Sequence, residues 1–205
     1  MNPEASMPKF TPVVLLLTLV LGCLSLSVAA EDEARPAGLF DELLAESGME
    51  FNRPGGFETA PVQSNPLLPY EHAIRSSDGM FEIRYALRPL GRIQIDYEDP
   101  HSSAPDPNHM FPLMFQSLVT SLSDGTHSPT REYTPEQAST QFNAHWAAAA
   151  LFDVNPDFNS EHRQALILAL HKNQLADAYA VLLFDDYEHS RDAIKANLGL
   201  LKFLP

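Results

Sequence analysis

The sequence has almost none of the residues that build covalent cross-links. It holds one cysteine, Cys23, among 205 residues. One cysteine cannot form an internal disulfide, so the fold must be held together by an ordinary hydrophobic core. Thiolate chemistry is also excluded from any mature form that lacks residue 23, because the thiolate is the reactive species in such enzymes.

Basic residues are scarce as well. Lysine and arginine together number 13, against 27 aspartates and glutamates, which gives a net charge of −14. Proteins that bind nucleic acid or anionic lipid headgroups are normally basic, because they must neutralise phosphates. We therefore expect neither nucleic acid nor an anionic membrane surface as a partner.

The sequence also lacks the local signatures of common catalytic sites. It contains no G-x-S-x-G nucleophile elbow, no H-E-x-x-H zinc motif, no phosphate-binding glycine loop and no dinucleotide fingerprint. No cofactor is implied by any motif. Activity from residues that meet only in space is not tested by such patterns.

The first thirty residues carry the clearest pattern that is present. A polar start containing Lys9 leads into an apolar run over residues 13–26, and Val28-Ala29-Ala30 precedes the acidic Glu31. This order is typical of a secretory signal peptide cleaved after Ala30. We expect a mature protein that is periplasmic or secreted, in a bacterial envelope.

This segment has two alternative interpretations. A membrane anchor needs about 20 apolar residues, and the uninterrupted run is shorter, so no membrane span is predicted. The stretch Leu21-Gly22-Cys23 resembles a lipobox, which would make the protein a lipoprotein anchored through Cys23. The apolar residues that follow Cys23 and the good site at Ala30 favour simple cleavage.

The rest of the chain is predicted to be a flexible acidic leader over residues 31–36 and one α+β domain over residues 37–205. Apolar residues at helical spacing predict helices over 38–47 and 110–122, a capped helix from 134, and a helix over 186–200. Alternation predicts strands over 49–51, 70–75, 81–87, 92–97, 163–171 and 178–184, with a hairpin turn at Asp78-Gly79. Residues 98–108 are predicted as a long loop, and Ala147 to Ala150 fit either a helix or a buried strand.

The predicted strands come in consecutive pairs with helices between the pairs. A doubly wound parallel sheet would need strict alternation of strand and helix. The pattern therefore favours an antiparallel sheet flanked by helices.

Short motifs along the chain resemble one known superfamily. They are Phe51-x-x-Pro54-Gly-Gly-Phe57, the Arg/Tyr-containing hairpin, Leu183-Phe184-Asp185-Asp186 and the closing Leu201-x-Phe203. In order they are similar to the PsbP-type photosystem extrinsic proteins and the bacterial DcrB-type periplasmic proteins. The resemblance implies an α/β/α sandwich with a central antiparallel sheet and a noncatalytic accessory or binding role. It transfers no site residue onto this sequence.

The candidate ligand-binding residues are Arg84 and Arg88. The stretch 53–92 is locally basic in an acidic chain, and these two arginines share the polar side of one predicted strand. Guanidinium groups held in this way can grip a carboxylate or phosphate bidentately. The alternative is that they form ion pairs with Glu71 and Glu82 across the sheet.

The candidate metal site is the acidic loop over residues 96–109. Asp99, His101, Asp106 and His109 offer the oxygen and imidazole ligands that suit a divalent ion such as zinc. The spacing matches no established ligand motif, and a solvated acidic loop accounts for it equally. A metal-dependent hydrolase is therefore the alternative to the leading interpretation.

The leading interpretation is an exported, noncatalytic binding or accessory protein of the cell envelope. Its partner is expected to be another protein or a small anionic ligand, and the sequence does not determine its oligomeric state.

We expect the mature protein to begin at Glu31, because the small residues before it complete a signal-peptidase site. N-terminal sequencing of the exported protein measures this directly. A blocked, lipid-bearing Cys23 would contradict the prediction and make the protein membrane-anchored.

Overall fold

The computed structural model describes residues 38–92, 106–123, 125, 129–158 and 160–205. The described helices are α1 (Leu39–Glu46), α2 (Pro107–Leu122), α3 (Pro135–Phe142) and α4 (Tyr187–Asn197). The described strands are β1 (Met49–Phe51), β2 (Phe57–Ala60), β3 (His72–Ser76), β4 (Glu82–Pro89), β5 (Thr130–Glu132), β6 (Trp146–Asp153), β7 (Gln164–Lys172), β8 (Ala176–Phe184) and β9 (Leu201–Phe203).

Seven of these strands form one antiparallel sheet in the order β2-β3-β4-β8-β7-β6-β5. The strands before α2 occupy one side of the sheet and the strands after it occupy the other. The two groups meet where β4 pairs with β8, over a register that runs from Glu82 opposite Leu183 to Pro89 opposite Ala176. A separate two-stranded ribbon joins β1 to β9.

Helices cover both faces of the sheet. On one face, which we call the three-helix face, α1, α3 and α4 pack over alternate strand residues such as Ile83, Tyr85 and Leu182. On the other, the α2 face, α2 packs over residues such as Ile167 and Val181. Successive strand residues point to opposite faces, so two separate cores form and the central strands are buried on both sides. The predicted α+β class, an antiparallel sheet flanked by helices, is confirmed.

Several local predictions are confirmed with small shifts in their ends. The hairpin of β3 and β4 has the predicted turn, and α1 exits at Gly48, whose φ of +58° favours glycine. The capping box of α3 is present, with the Thr134 and Gln137 side chains each bonded to the other residue's backbone. The open question about Ala147 to Ala150 is answered: they lie in the strand β6.

Three strands were not predicted from the sequence. The sequence pattern predicts no helix or strand over residues 57–60, 130–132 and 201–203, yet they form β2, β5 and β9. Each is three or four residues long, too short for alternation to stand out. They form because the edge of an existing sheet, or β1, offers backbone partners.

The prediction around α2 needs correction. Asp106 caps the helix by accepting a hydrogen bond from the Asn108 amide, so the helix begins at Pro107 and the predicted loop 98–108 is wrong at its last two residues. Pro112 consequently lies inside the helix and not near its start. There its ring nitrogen cannot donate the helical hydrogen bond to Asn108.

Other predictions lie partly or wholly outside the described residues. These are the signal peptide, the leader, Cys23, most of the 98–108 loop, and residues 93–97 of the predicted 92–97 strand, whose first residue closes a 3₁₀ turn. The division of the chain into a signal peptide, a leader and one domain stays a prediction. Among the described residues, no helix is long and apolar enough to cross a membrane.

The docking of α2 can be tested at Phe115, which is fully buried with its ring 5.8 Å from that of Trp146. Phe115→Ala should lower the free energy of unfolding by about 3–5 kcal/mol, because it leaves a cavity in the core of the α2 face. The measurement is urea unfolding followed by the fluorescence of Trp146, the only tryptophan.

The matched control is Leu113→Ala in the same helix. Leu113 is 64% exposed, so its loss should change stability by no more than about 0.5 kcal/mol. Similar effects of the two substitutions would show that α2 presents a different face to the sheet. Leu118, expected from its place on the apolar stripe to be buried beside Phe115, is only half-buried.

Candidate functional site

Arg84, the first predicted site residue, is buried and already paired. Its Nε donates to Glu82 Oε1 at 2.7 Å and its Nη1 donates to the Phe158 carbonyl at 3.0 Å. The guanidinium lies 5.0 Å from the centre of the Tyr70 ring and 4.9 Å from that of Phe158. Only 4% of Arg84 is exposed, because α2-face residues cover the hairpin side that the sequence suggested would face solvent.

Glu82 joins Arg84 to a second arginine on the neighbouring strand. Arg75, its cross-strand partner, donates to Glu82 Oε2 at 2.6 Å. Burial alone raises the pKa of the Glu82 carboxyl, but the two guanidinium groups outweigh burial and leave that pKa below its usual value. This cluster borders a polar cavity of about 500 Å³, whose wall also contains Glu58 and Glu161. The positive charges of the two arginines and the negative charges of the glutamates that line this cavity therefore largely cancel.

Arg88, the second predicted site residue, closes a gap in the sheet. Strand β3 begins at His72, so the last residues of β4 have no strand on that side. The Glu71 carboxylate accepts the Leu87 amide proton at 2.9 Å in place of a strand. Arg88 Nη1 donates to Glu71 Oε1 at 3.0 Å and to the Leu87 carbonyl at 2.7 Å, and its Nη2 donates to the Pro69 carbonyl.

The two predicted arginines are therefore not brought together. Arg84 lines the polar cavity, whereas Arg88 lines a different groove described below. Both make the ion pairs with Glu82 and Glu71 that the sequence offered as the alternative. Their role in ligand binding stays a prediction.

The residues of the predicted metal site are only partly described. Asp106 serves as the cap of α2, and His109 is 85% exposed with its Nδ1 3.8 Å from Asp106 Oδ2. Asp99 and His101 lie outside the described residues. Within the described part of the chain, no three Asp, Glu, His or Cys side chains cluster as metal ligands.

A groove on the three-helix face is lined by three basic side chains that the sequence analysis did not predict as site residues. It lies between α4 and the edge strand β5, has a volume of about 330 Å³, and we call it the α4–β5 groove. Arg131 of β5 lines one side and Arg191 and Lys195 of α4 line the other. The α4 residues at 187, 191, 194, 195 and 198 form one stripe, because side chains three or four apart share a helix face.

Small side chains on the sheet explain why this groove is open. Arg131 lies opposite Ala149 in the pairing of β5 with β6, and the Ala149 side chain lies on the floor. The next residue, Ala150, borders the groove but packs its side chain in the core of the α2 face. Alanine fills little of the space beneath a helix, so α4 and β5 remain apart there. Leu151, Leu166, Ile194 and Leu198 complete an apolar floor and wall.

The α4–β5 groove is positively charged, whereas the protein as a whole is negatively charged. Among the described residues, neither Arg131 nor Arg191 forms an ion pair, and no carboxylate lines the groove. Lys195 lies 3.8 Å from Asp192, whose side chain is fully exposed. Burial raises the pKa of Tyr133 and the nearby Arg131 charge lowers it, so a neutral phenol faces an uncompensated cation.

This arrangement suits a small organic anion. Guanidinium groups bind carboxylate and phosphate oxygens with paired, charge-assisted hydrogen bonds. The phenols of Tyr133 and Tyr187 line the same space and can pack against an apolar body. One signal in the sequence could have indicated this groove: Arg191 and Lys195 are four residues apart in a predicted helix. The strand β5, which carries Arg131 on the other side of the groove, could not be predicted from the sequence.

Comparisons with known proteins are consistent with the fold. No protein-family model matches the sequence, and no curated protein matches it. The solution structure of cyanobacterial PsbP (CyanoP) from Synechocystis sp. PCC 6803 is similar, with a TM-score of 0.43 and 11% sequence identity, over 77% of this chain and 88% of that one. This protein has a fold of the PsbP type that the sequence motifs resemble. The resemblance identifies no site residue, ligand or partner of this chain.

The structural role of Arg84 gives a pH-dependent prediction. Arg84→Met should lower the free energy of unfolding by about 3–5 kcal/mol at pH 7, because the Glu82 carboxylate stays buried with one partner lost. Glu82 has a lowered pKa in the folded state, so its pairing stabilises the protein above the ordinary value of 4.5 and is lost as pH falls through the folded pKa. The cost of the substitution should therefore shrink below about pH 4.5.

Urea unfolding of both proteins between pH 3 and pH 7, at about one-unit steps, checks this. Arg53→Met, at an exposed arginine that bonds only Thr59 Oγ1 among the described residues, is the control and should cost less than about 0.5 kcal/mol. A cost that does not vary with pH would show that packing, and not the ion pair, makes Arg84 important.

Proposed function

We propose that the protein is an exported, noncatalytic binding protein of the cell envelope, and that its ligand is a small organic anion held in the α4–β5 groove. One observation carries the proposal: two arginines without ion pairs among the described residues, and a lysine, line one apolar groove in a protein of net charge −14.

Arginines in such an acidic molecule are normally neutralised by nearby carboxylates. Arg75, Arg84, Arg88 and Arg92 all follow that rule, with ion pairs of 2.6 to 3.0 Å. Cations that lie unpaired beside an apolar floor retain their donors for a ligand. The net negative charge of the protein repels anions from the rest of its surface. An anionic ligand is therefore directed to the cations of the α4–β5 groove.

The groove chemistry supports binding and not turnover. Its polar groups, all among the described residues, are guanidinium, ammonium and phenol groups. A general base that works near neutral pH is usually an imidazole or a carboxylate with a suitable pKa. Burial raises the pKa of the Tyr133 phenol, which keeps its proton in place.

Three probes separate the contributions of charge and apolar contact: phenyl phosphate, inorganic phosphate and phenol. Phenyl phosphate should bind most tightly, because it alone uses both the cations and the apolar floor. Binding measured by calorimetry should weaken as salt is added, since the cations are exposed. Equal binding of inorganic and phenyl phosphate would show that the floor contributes nothing.

The variant for this test is Arg131→Gln with Arg191→Gln. It should weaken phenyl phosphate binding by about tenfold or more, because each charged hydrogen bond is worth roughly 1.5–3 kcal/mol. Stability should change by less than about 1 kcal/mol, as both residues are exposed.

The matched control is Arg53→Gln with Arg163→Gln, which removes the same charge from other exposed positions. It should bind phenyl phosphate as the native protein does. Equal weakening in both double variants would assign the effect to net charge and overturn the α4–β5 groove as the site.

A further inference from the structure

A second large groove lies at the free edge of β4, beyond the point where its pairing with β3 ends. It opens between α1 on one face of the sheet and α2 on the other, and we call it the α1–α2 groove. Its volume is about 540 Å³, within the range of roughly 300–1,000 Å³ that is usual for small-molecule sites. Most of its lining is hydrocarbon and comes from Leu39, Leu43, Leu68, Leu87, Met114 and Leu118.

The backbone at this edge is already hydrogen-bonded within the protein. Glu71 Oε2 accepts the Leu87 amide proton at 2.9 Å, and the Leu87 carbonyl accepts a hydrogen bond from Arg88 Nη1 at 2.7 Å. Pro89 has no amide proton to donate. A peptide strand is added to a sheet through backbone hydrogen bonds, so this edge does not suit an extended peptide.

The two arginines of the groove wall are neutralised inside the protein. Arg88 pairs with Glu71 at 3.0 Å. Arg92 pairs with Glu46 at 2.6 Å. Neither guanidinium is therefore left to attract an anionic ligand.

Asp177, the remaining charged residue of the described wall, is compensated by a histidine. Its Oδ1 lies 2.6 Å from His171 Nδ1, and His171 Nε2 lies 3.0 Å from Asn173 Oδ1. Because both ring nitrogens face oxygens, both can carry a proton, and the imidazolium compensates the Asp177 carboxylate. An ion of either sign would lose its hydration in this groove without gaining a counter-charge, whereas an uncharged molecule would not.

One polar group of the wall is both uncharged and without a partner. Tyr179 is 5% exposed and lines the groove, and its hydroxyl forms no hydrogen bond within the part of the chain that the structure describes. Burial raises the pKa of this phenol, so it keeps its proton near neutral pH. A buried tyrosine hydroxyl usually has a hydrogen-bond partner, and an oxygen of a ligand in the groove would supply one.

We infer that the α1–α2 groove binds an uncharged molecule with a hydrocarbon body and one hydrogen-bonding oxygen, with the oxygen bonded to Tyr179 Oη and the body packed against Met114 and Leu118. Burial of the body supplies most of the affinity, at about fourfold for each methylene group. Among the described residues, this groove has no lining residue in common with the α4–β5 groove, so the two sites are separate.

Octanol, octanoate and octylammonium, which share one alkyl skeleton, test the inference by calorimetry at pH 7. The protein is the full chain with Arg131→Gln and Arg191→Gln, so that the cations of the α4–β5 groove do not contribute. Octanol should bind about tenfold or more tighter than either ion. Tighter binding of octanoate would show that the arginines govern the groove, and tighter binding of octylammonium would show that Asp177 does. Either result, or no octanol binding, overturns the inference.

Two neighbouring residues of α2 provide a matched pair of variants. Leu113 and Met114 are both more than half exposed, but of the two only Met114 lines the groove. Met114→Glu should weaken octanol binding by about tenfold or more, because it places a charge against the hydrocarbon. Leu113→Glu should leave the affinity unchanged. Equal weakening by both substitutions would place octanol elsewhere on α2 and overturn the site.

Tyr179→Phe tests the contact with the ligand oxygen. It should weaken octanol binding by about threefold to tenfold, which is the contribution of one hydrogen bond. Thermal stability should stay nearly unchanged, because phenylalanine fills the same space and the lost hydroxyl has no partner among the described residues. An unchanged octanol affinity would overturn the assignment of Tyr179.

Glu42→Gln with Glu46→Gln tests whether ion pairing is what excludes anions from the groove. Arg92 lies 3.5 Å from Glu42 and bonds Glu46, and both glutamates are exposed, so the double variant frees a guanidinium without disturbing the core. Octanoate affinity should rise by about fivefold or more, while octanol affinity stays the same. An unchanged octanoate affinity would show that the paired charges do not set the preference, which contradicts the inference.

Discussion

The pairing of β4 with β8 is the interaction on which the rest of the structure depends. It is the only link between the strands that precede α2 and those that follow it within the described seven-stranded sheet. Eight residue pairs hold it in register, and residues 87 to 101 positions apart in the chain become neighbours. Because this seam lies at the centre of the sheet, helices cover both of its faces, and a polar side chain that it carries is costly unless it finds a partner inside the protein. The buried Tyr85 hydroxyl is the exception on β4, since it has no hydrogen-bond partner among the described residues.

That constraint explains the charged residues of β4 and β8. Glu82 and Arg84 neutralise each other next to Arg75, and Arg88 is held by Glu71 at the point where β3 stops. Charged groups at these positions are costly unless they are paired and hydrogen-bonded. The two arginines that suggested a ligand-binding face in the sequence form ion pairs with Glu82 and Glu71 in the folded protein. These ion pairs allow charged residues to lie inside a sandwich.

The same reasoning identifies the positions that remain available to ligands. At the outer edge, the groove between β5 and α4 lies over Ala149, and Arg131 and Arg191 form no ion pair among the described residues. There the cations are left without a counter-charge among the described residues, and the proposed ligand supplies the negative charge.

The sequence by itself determined the fold class, the hairpin, the capped helices and the long β7–β8 strands, because each rests on local periodicity or on capping and turn residues that act over a few positions. It could not determine which faces of the strands are covered, since that depends on α2 crossing the sheet far along the chain. It also could not show the short strands β2 and β5, which exist only because a neighbouring strand edge is present. For the same reason the sequence pointed to Arg84 and Arg88, whereas tertiary structure decided that these two are paired. It also decided that Arg131 and Arg191 form no ion pair within the described part of the chain. Pairing is a property of distance in space, and charges far apart in sequence meet only after the sheet has formed.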